Sequence, residues 1–164
     1  MTKLDTNEID ICEGESVIDY SENAGIILKS PGYPNYKYLE YADCQKVIHF
    51  SKETPYRIEF LGDFALESNP DGSRCFDFIE IKNGADSDAP LIIKACGEHK
   101  PQAINAKGNS VWISFESDDT QNEKGFRMKI TKVDQSECKN LLFFVNKSKS
   151  FKQYRNKYRT MIAS

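Results

Sequence analysis

The sequence contains no long hydrophobic run, and this absence excludes several classes of protein. No uninterrupted apolar stretch approaches the ~20 residues that a helix needs to cross a bilayer, so we expect no membrane span. Residues 1–10 are polar overall and lack the apolar core of a signal peptide. With 39% hydrophobic residues and 29% charged residues of both signs, the chain is neither collagen-like nor a disordered polyelectrolyte. This composition predicts one compact domain with an extension.

Histidine is scarce, and the common catalytic motifs are missing. The two histidines are His49 and His99. There is no G-x-S-x-G, no H-E-x-x-H and no glycine-rich phosphate loop in the sequence. The sequence therefore favours a protein that is not an enzyme, although residue types alone leave a two-carboxylate glycosidase open.

The cysteines lack the C-x-x-C spacing of zinc ribbons and thioredoxin-type redox sites. Four of the five are widely spaced in a strand-like body, which favours two disulfides in an oxidising compartment over reduced core thiols in a cytosolic protein. Four cysteines allow three pairings, and their spacing does not choose among them. The fifth, Cys138, is left over, either as a free thiol or as the partner of a cysteine in another domain or chain.

The formal net charge of −3 hides an asymmetry between the two parts of the chain. Residues 1–137 contain 15 Lys and Arg and all 25 acids, which gives −10, whereas residues 138–164 contain seven basic residues and no acid. An acidic body repels nucleic acid, and the basic tail contains no motif that reads bases. We therefore expect no nucleic-acid partner.

The basic tail has a helical period of apolar residues. They recur at three- and four-residue steps: Phe151, Tyr154, Tyr158 and Met161. This pattern predicts a short helix with a cationic opposite face, and a helix docked on a neighbour or a frayed chain end is favoured slightly over a helix that binds a membrane or heparin. The tail also contains one sequon, at Asn146, which permits N-glycosylation.

The acidic body consists of short apolar or alternating runs, at residues 25–28, 47–50, 57–61, 76–82, 91–93, 111–115 and 126–130. Clusters of Gly, Pro, Asn and Asp separate them and predict turns, at residues 30–35, 69–72, 83–84 and 107–109. Strands without intervening helices predict an all-β fold in which two antiparallel sheets pack as a β-sandwich.

The body resembles the CUB domain family in a series of motifs that follow the family's order. The motifs are S-P-G-Y-P at 30–34 before Cys44, F-A-L-E at 64–67, C-F-D-F-I-E-I-K-N-G at 75–84, C-G at 96–97, W-I-S-F-E-S-D at 112–118 and G-F at 125–126. The resemblance implies a jelly-roll-like β-sandwich over residues 12–133, with residues 1–11 as an N-terminal extension and 134–164 as a basic tail or linker. It also implies two disulfides, Cys12–Cys44 and Cys75–Cys96.

Three acids of the body match the carboxylates with which calcium-binding CUB domains hold one Ca²⁺. They are Glu67, Asp77 and Asp118. Carboxylates held close together raise one another's pKa unless a divalent cation lies between them, and Ca²⁺ takes six to eight oxygen ligands. Loop carbonyls after Asp118 and water can complete such a set. The resemblance assigns Tyr36 to the family tyrosine whose hydroxyl supports the glutamate.

Two departures from the family pattern affect the expected structure. Lys46 stands where the family usually has tryptophan, so we expect part of the core to be filled from elsewhere. Seven residues, 68–74, separate Glu67 from Cys75, more than in many members, and Asp77 follows Cys75 one residue early. We therefore expect the loop that carries the acids to be reshaped.

The resemblance implies a function in binding. In calcium-binding CUB domains the ion orders the loops, and nearby carboxylates grip a Lys or Arg of the partner protein; Glu67, Asp118 and Asp119 are the matching candidates. The sequence thus predicts a secreted or extracellular, non-enzymatic module of a larger modular protein. Two alternatives remain open: a spermadhesin-like adhesin that binds glycans or sulfated polysaccharide through its tail, and a regulatory CUB segment of an astacin-like or complement-type protease with Cys138 bridged to another domain.

Overall fold

The computed structural model describes residues 8–20 and 25–133. The expectations for the basic tail, including its helix, Cys138 and the sequon at Asn146, lie outside the described residues and stay predictions. The described part has eight strands: β1 (Glu8–Asp10), β2 (Val17–Asp19), β3 (Ile26–Lys29), β4 (Asp43–Phe60), β5 (Phe78–Lys82), β6 (Leu91–Ala95), β7 (Ile104–Glu116) and β8 (Arg127–Lys132). No helix that could span a membrane occurs in this part of the chain.

The two long strands, β4 and β7, pair antiparallel along their lengths and build both layers of the fold. Their register shifts between His49 and Thr54. Before the shift, β4 pairs with β2 and with the second half of β7, and the layer continues through β5 to β6. After the shift, β4 pairs with the first half of β7 and with β8, and that layer continues through β3 to β1. The predicted all-β sandwich is confirmed.

Two edge pairings differ from the expectation of purely antiparallel sheets. Strand β1 pairs with β3, and β2 pairs with β4, both in parallel. The strands β1, β2 and β3 follow one another along the chain but alternate between the two layers. Because none of them forms a hairpin with the next, each can join its layer in parallel.

The core between the layers is aliphatic and aromatic. Alternate residues of β4 point inward, and Ile48, Phe50 and Ile58 are fully buried. Phe50 stacks on Tyr56 with ring centroids 5.3 Å apart. Burial of each such side chain contributes ~1.5–3 kcal/mol of transfer free energy. The core therefore gives a firm support to the loops at the ends of the strands.

The sequence predicts a turn at residues 107–109, and this prediction is wrong. These residues lie inside β7, where Gly108 pairs with Thr54 at the register shift. The side-chain amide of Asn83 donates to the carbonyl of Lys107 at 3.0 Å, and a Cβ on Gly108 would collide with the Asn83 side chain. The glycine thus permits a close approach of a neighbouring side chain. In the sequence, a glycine with this role in a strand cannot be distinguished from a glycine in a turn.

Both disulfides implied by the family resemblance are confirmed. Cys12 is bonded to Cys44 and Cys75 to Cys96, across sequence separations of 32 and 21 residues. Each bond restricts the unfolded chain, and loops of this length contribute ~3 kcal/mol to stability. The first bond ties the segment after β1 to the start of β4, and the second ties the segment before β5 to the end of β6.

Lys46 is buried, with 2% of its surface exposed. Its ammonium group donates to the carbonyl oxygens of Glu13, Gly14 and Glu15 at 2.5, 3.3 and 2.7 Å. Burial lowers the pKa of this lysine, and the charge of Asp10 opposes that effect. The side chain that replaces the family's tryptophan therefore fastens the segment between β1 and β2 to the sandwich through hydrogen bonds.

Replacement of Lys46 by methionine should lower the free energy of unfolding by about 2 kcal/mol, because partly buried hydrogen bonds from a charged donor are lost. Urea denaturation of the oxidised protein measures this difference. Lys52→Met is the matched control, since Lys52 lies exposed on the same strand. Equal stability of the Lys46 variant and the control would contradict the assigned role.

Candidate metal centre

The three acids selected from the sequence lie together at one end of the sandwich. One carboxylate oxygen of each of Glu67, Asp77 and Asp118 lies within 4.8 Å of the others. Asp77 directly precedes β5, and Asp118 follows β7 by two residues. These strands are neighbours with Phe78 opposite Glu116, so the pairing of the sheet brings the two acids to the same edge.

The long segment between Glu67 and Cys75 folds back on itself and so preserves the acidic cluster. Ser68 pairs with Cys75, the amide of Asn69 donates to the carbonyl of Arg74 at 3.0 Å, and a turn closes this hairpin. After the hairpin, the amide of Asp77 donates to the carbonyl of Glu67 at 3.2 Å. The extra residues project from the edge, and the two acids remain neighbours.

Asp77 is the most buried of the three acids, with no exposed surface. The hydroxyl of Tyr38 donates to one of its carboxylate oxygens, and the amide of Asp118 donates to the other at 2.8 Å. The same tyrosine hydroxyl accepts a hydrogen bond from the amide of Glu67 at 3.1 Å. Tyr38 therefore orients two of the three acids.

The supporting role that the sequence assigns to Tyr36 is corrected by the structure, which places Tyr38 there. Tyr36 is 77% exposed, and its amide closes a turn onto the carbonyl of Gly32. The chain turns inward two residues later, where the amide of Tyr38 donates to the carbonyl of Glu123. Both tyrosines follow the S-P-G-Y-P motif, and the sequence contains no signal that separates the inward ring from the outward one.

Thr120 is a second residue whose side chain sequence reasoning missed. Its hydroxyl lies 3.1 Å from a carboxylate oxygen of Glu67 and 2.9 Å from one of Asp118. Its amide donates to the same Asp118 oxygen at 2.8 Å. Thr120 thereby fixes the loop after β7 across the acidic cluster.

The cluster has an excess of negative charge. Burial raises the pKa of Glu67, the hydrogen bond from Thr120 opposes this effect, and the charges of Asp118 and Asp77 raise the pKa further. Burial also raises the pKa of Asp77, against the opposing hydrogen bonds from Tyr38 and the Asp118 amide. Within residues 8–20 and 25–133, none of the ion pairs includes any of the three acids. A hard divalent cation with oxygen ligands fits this set, because it would neutralise charge that the described residues leave unpaired.

The surroundings of the cluster are also acidic. A groove of about 530 Å³ borders Glu67, between the hairpin at 68–74 and the loop after Cys96. The charged or titratable residues that line it besides Glu67 are Asp71, Glu98, His99 and Glu123. Asp119, predicted to contact a partner, lies exposed beside Asp118. This edge of the molecule is therefore suited to a cationic ligand.

Comparisons of this chain with a family model and with known proteins agree on one family. A family model described as "CUB domain" matches residues 12–130. Dog cubilin is 33% identical over 119 residues, which cover 72% of this chain and 3% of that protein. Mouse tolloid-like protein 1 is 34% identical over 128 residues, which cover 78% of this chain and 12% of that protein. The match thus spans a small part of each of these two relatives.

A solved structure of the MASP-1 CUB2 domain bound to Ca²⁺ is similar to this chain in fold and sequence. It is 26% identical with a TM-score of 0.58, and the match covers 68% of this chain and 95% of that one. The comparison supports the sandwich described above.

The assignment of Tyr38 predicts different effects for two tyrosine variants. Tyr38→Phe should lower the free energy of unfolding by about 2 kcal/mol, because the buried carboxylate of Asp77 and the amide of Glu67 lose their shared partner. Tyr36→Phe removes only an exposed hydroxyl and should leave stability unchanged. Thermal unfolding of both variants with a chelator present makes the comparison, and a larger loss for Tyr36→Phe would contradict the assignment.

Proposed function

The chain belongs to the CUB domain family, and from this premise we propose that it is a calcium-dependent protein-binding module of a larger extracellular protein. The observation that carries the proposal is the cluster of three carboxylates, which has no ion pair with a basic side chain among the described residues and in which burial raises the pKa of Glu67 and Asp77. CUB domains are modules without catalytic activity, and we assign this chain a binding role on the same basis.

In this proposal, Ca²⁺ is held by Glu67, Asp77 and Asp118. Carboxylate oxygens are the preferred ligands of this ion, and carbonyl groups and water supply the remaining positions. Tyr38 holds the carboxylate of Asp77 and the backbone of Glu67 in place, which limits the ordering cost of binding. The Ca²⁺ ion in the similar MASP-1 CUB2 domain supports the choice of metal.

The partner site would lie on the outer side of the same cluster. Glu67, on the loop before the hairpin, and Asp118, on the loop after β7, would both hold the ion, and Thr120 already connects these two loops. Carboxylate oxygens of Glu67 and Asp118 that face away from the ion, together with Asp119, would accept hydrogen bonds from a Lys or Arg. Such charge-assisted bonds are strong when partly desolvated.

The extracellular location is part of the proposal, and the two alternative functions depend on residues outside the described part of the chain. Extracellular placement is proposed from the family and the two disulfides, which form in oxidising compartments. The adhesin alternative depends on the basic tail and the protease alternative on Cys138, both outside the described residues. No described contact favours either over the calcium-dependent module.

Calcium titration of the oxidised protein by calorimetry should give one site. At a free concentration 100 times the Kd, the ion should stabilise the fold by about 2.7 kcal/mol. Asp118→Asn should abolish the binding heat, whereas Asp119→Asn should retain it because Asp119 is placed outside the ion's ligands. Absence of millimolar or tighter binding by the unmodified protein would contradict the metal assignment.

Binding of a lysine side chain should require the ion. Lysine blocked only at its backbone termini, Nα-acetyl-lysine N-methylamide, should shift the amide NMR signals of Asp118 and Asp119 in the presence of calcium but not in EDTA. In the Asp119→Asn protein the affinity should fall while calcium binding persists. Shifts of equal size with and without calcium would contradict the proposed coupling. Heparin binding that survives EDTA but is lost at moderate salt would instead support the tail as a polyanion site.

A further inference from the structure

The loop between β3 and β4 exposes unusually large apolar side chains. Among the described residues, six large apolar side chains are exposed, and the three with the greatest exposure lie within six positions of this loop. They are Tyr36, Leu39 and Tyr41, at 77, 69 and 71% exposure. Isolated exposed apolar residues are common, but a concentration of them in one loop is a feature of interaction surfaces.

Leu39 and Tyr41 are held firmly against the loop that carries Asp118. The hydroxyl of Ser117 donates to the carbonyl of Leu39 at 2.8 Å and accepts from the amide of Ala42 at 2.9 Å. The amide of Tyr41 donates to the carbonyl of Asp118 at 3.0 Å. The two exposed side chains are therefore presented by a hydrogen-bonded backbone, directly beside the candidate metal centre.

Tyr41 also has a strained backbone. Its φ angle of 56° lies in the left-handed region, which non-glycine residues enter rarely and bulky ones least of all. Asparagine or glycine would adopt this conformation at lower cost. A tyrosine kept there with its ring in solvent gains little from burial, and strain of this kind is concentrated at functional sites.

The environment of the Tyr41 ring is negative. The charge of Asp119 raises the pKa of Tyr41, burial raises it as well, and the charges of Glu40 and Asp118 add to the effect. An aromatic ring beside carboxylates suits a ligand that brings a cation and an apolar group together, since the cation can also lie over the ring.

We propose that Leu39 and Tyr41 form an apolar ridge beside the calcium edge, and that this ridge selects protein segments in which a Lys or Arg lies next to a large apolar side chain. The inference rests on the proposed function, because the carboxylates of Asp118 and Asp119 must grip the basic residue. The acids would supply the charge contact, and the ridge would supply the apolar contact that separates one basic segment from another.

Two blocked tripeptides test the selection in calcium-saturated protein. Acetyl-Phe-Lys-Phe-amide should bind about tenfold more tightly than acetyl-Ser-Lys-Ser-amide, which is the gain expected when the phenyl groups bury the exposed surface of the ridge. NMR titration measures both affinities. Acetyl-Phe-norleucine-Phe-amide, which lacks the charge, should bind more weakly than acetyl-Phe-Lys-Phe-amide.

Three variants assign the effect to the ridge. Leu39→Ser and Tyr41→Asn should reduce the tenfold preference to about twofold or less while calorimetry shows unchanged calcium affinity. Tyr41→Asn should also raise the melting temperature by a few degrees, because asparagine relieves the left-handed strain. Tyr36→Ser is the control, as it removes an equally exposed ring from the same loop and should leave the preference unchanged. A structural role for Tyr41 would instead lower the melting temperature.

The outcomes separate this inference from the proposed function. Equal affinity for the two lysine peptides would overturn the ridge and leave the calcium-dependent grip intact. Failure of both peptides to bind in a protein that does bind calcium would overturn the grip, and the ridge with it. A preference that survives both ridge variants would overturn the assignment to Leu39 and Tyr41.

Discussion

The burial of the Asp77 carboxylate is the constraint on which the rest of this structure depends. A carboxylate without exposed surface needs hydrogen bonds and a counter-charge, and the residues that the structure describes supply only the hydrogen bonds, from the hydroxyl of Tyr38 and the amide of Asp118. These two bonds join the loop before β4, the start of β5 and the loop after β7. These bonds explain why the three segments meet at one edge, and the remaining charge requirement explains why the site there fits a cation.

The frame that holds this edge is built by long-range contacts. Strands β4 and β7 belong to both layers, and the bond between Cys75 and Cys96 secures the approach to β5. The hairpin at 68–74 then adds length to the edge without separating Glu67 from Asp77. The long 68–74 loop therefore leaves the backbone contact between Glu67 and Asp77 in place. A rigid sandwich that carries variable loops with the functional residues is a common arrangement in proteins.

Sequence reasoning located the strands of the core and the three acids because alternation and ordered motifs are local signals. It failed where tertiary contacts decide the outcome. The glycine at 108 suggests a turn but makes room for Asn83, and the runs at 47–50 and 57–61 are halves of one strand that shifts register. The short strands β1 and β2 gain their pairing from distant segments. Lys46 is buried only because carbonyls of the preceding segment surround it.

The central claim is that three carboxylates form one site for a hard cation. A crystal structure of the oxidised protein grown with calcium tests it most directly. The account predicts a single anomalous-scattering peak at ~2.3–2.6 Å from oxygens of Glu67, Asp77 and Asp118, with Tyr38 still bonded to Asp77. A structure in calcium that shows these carboxylates bound only to water, or paired with a basic side chain of the protein, would contradict it.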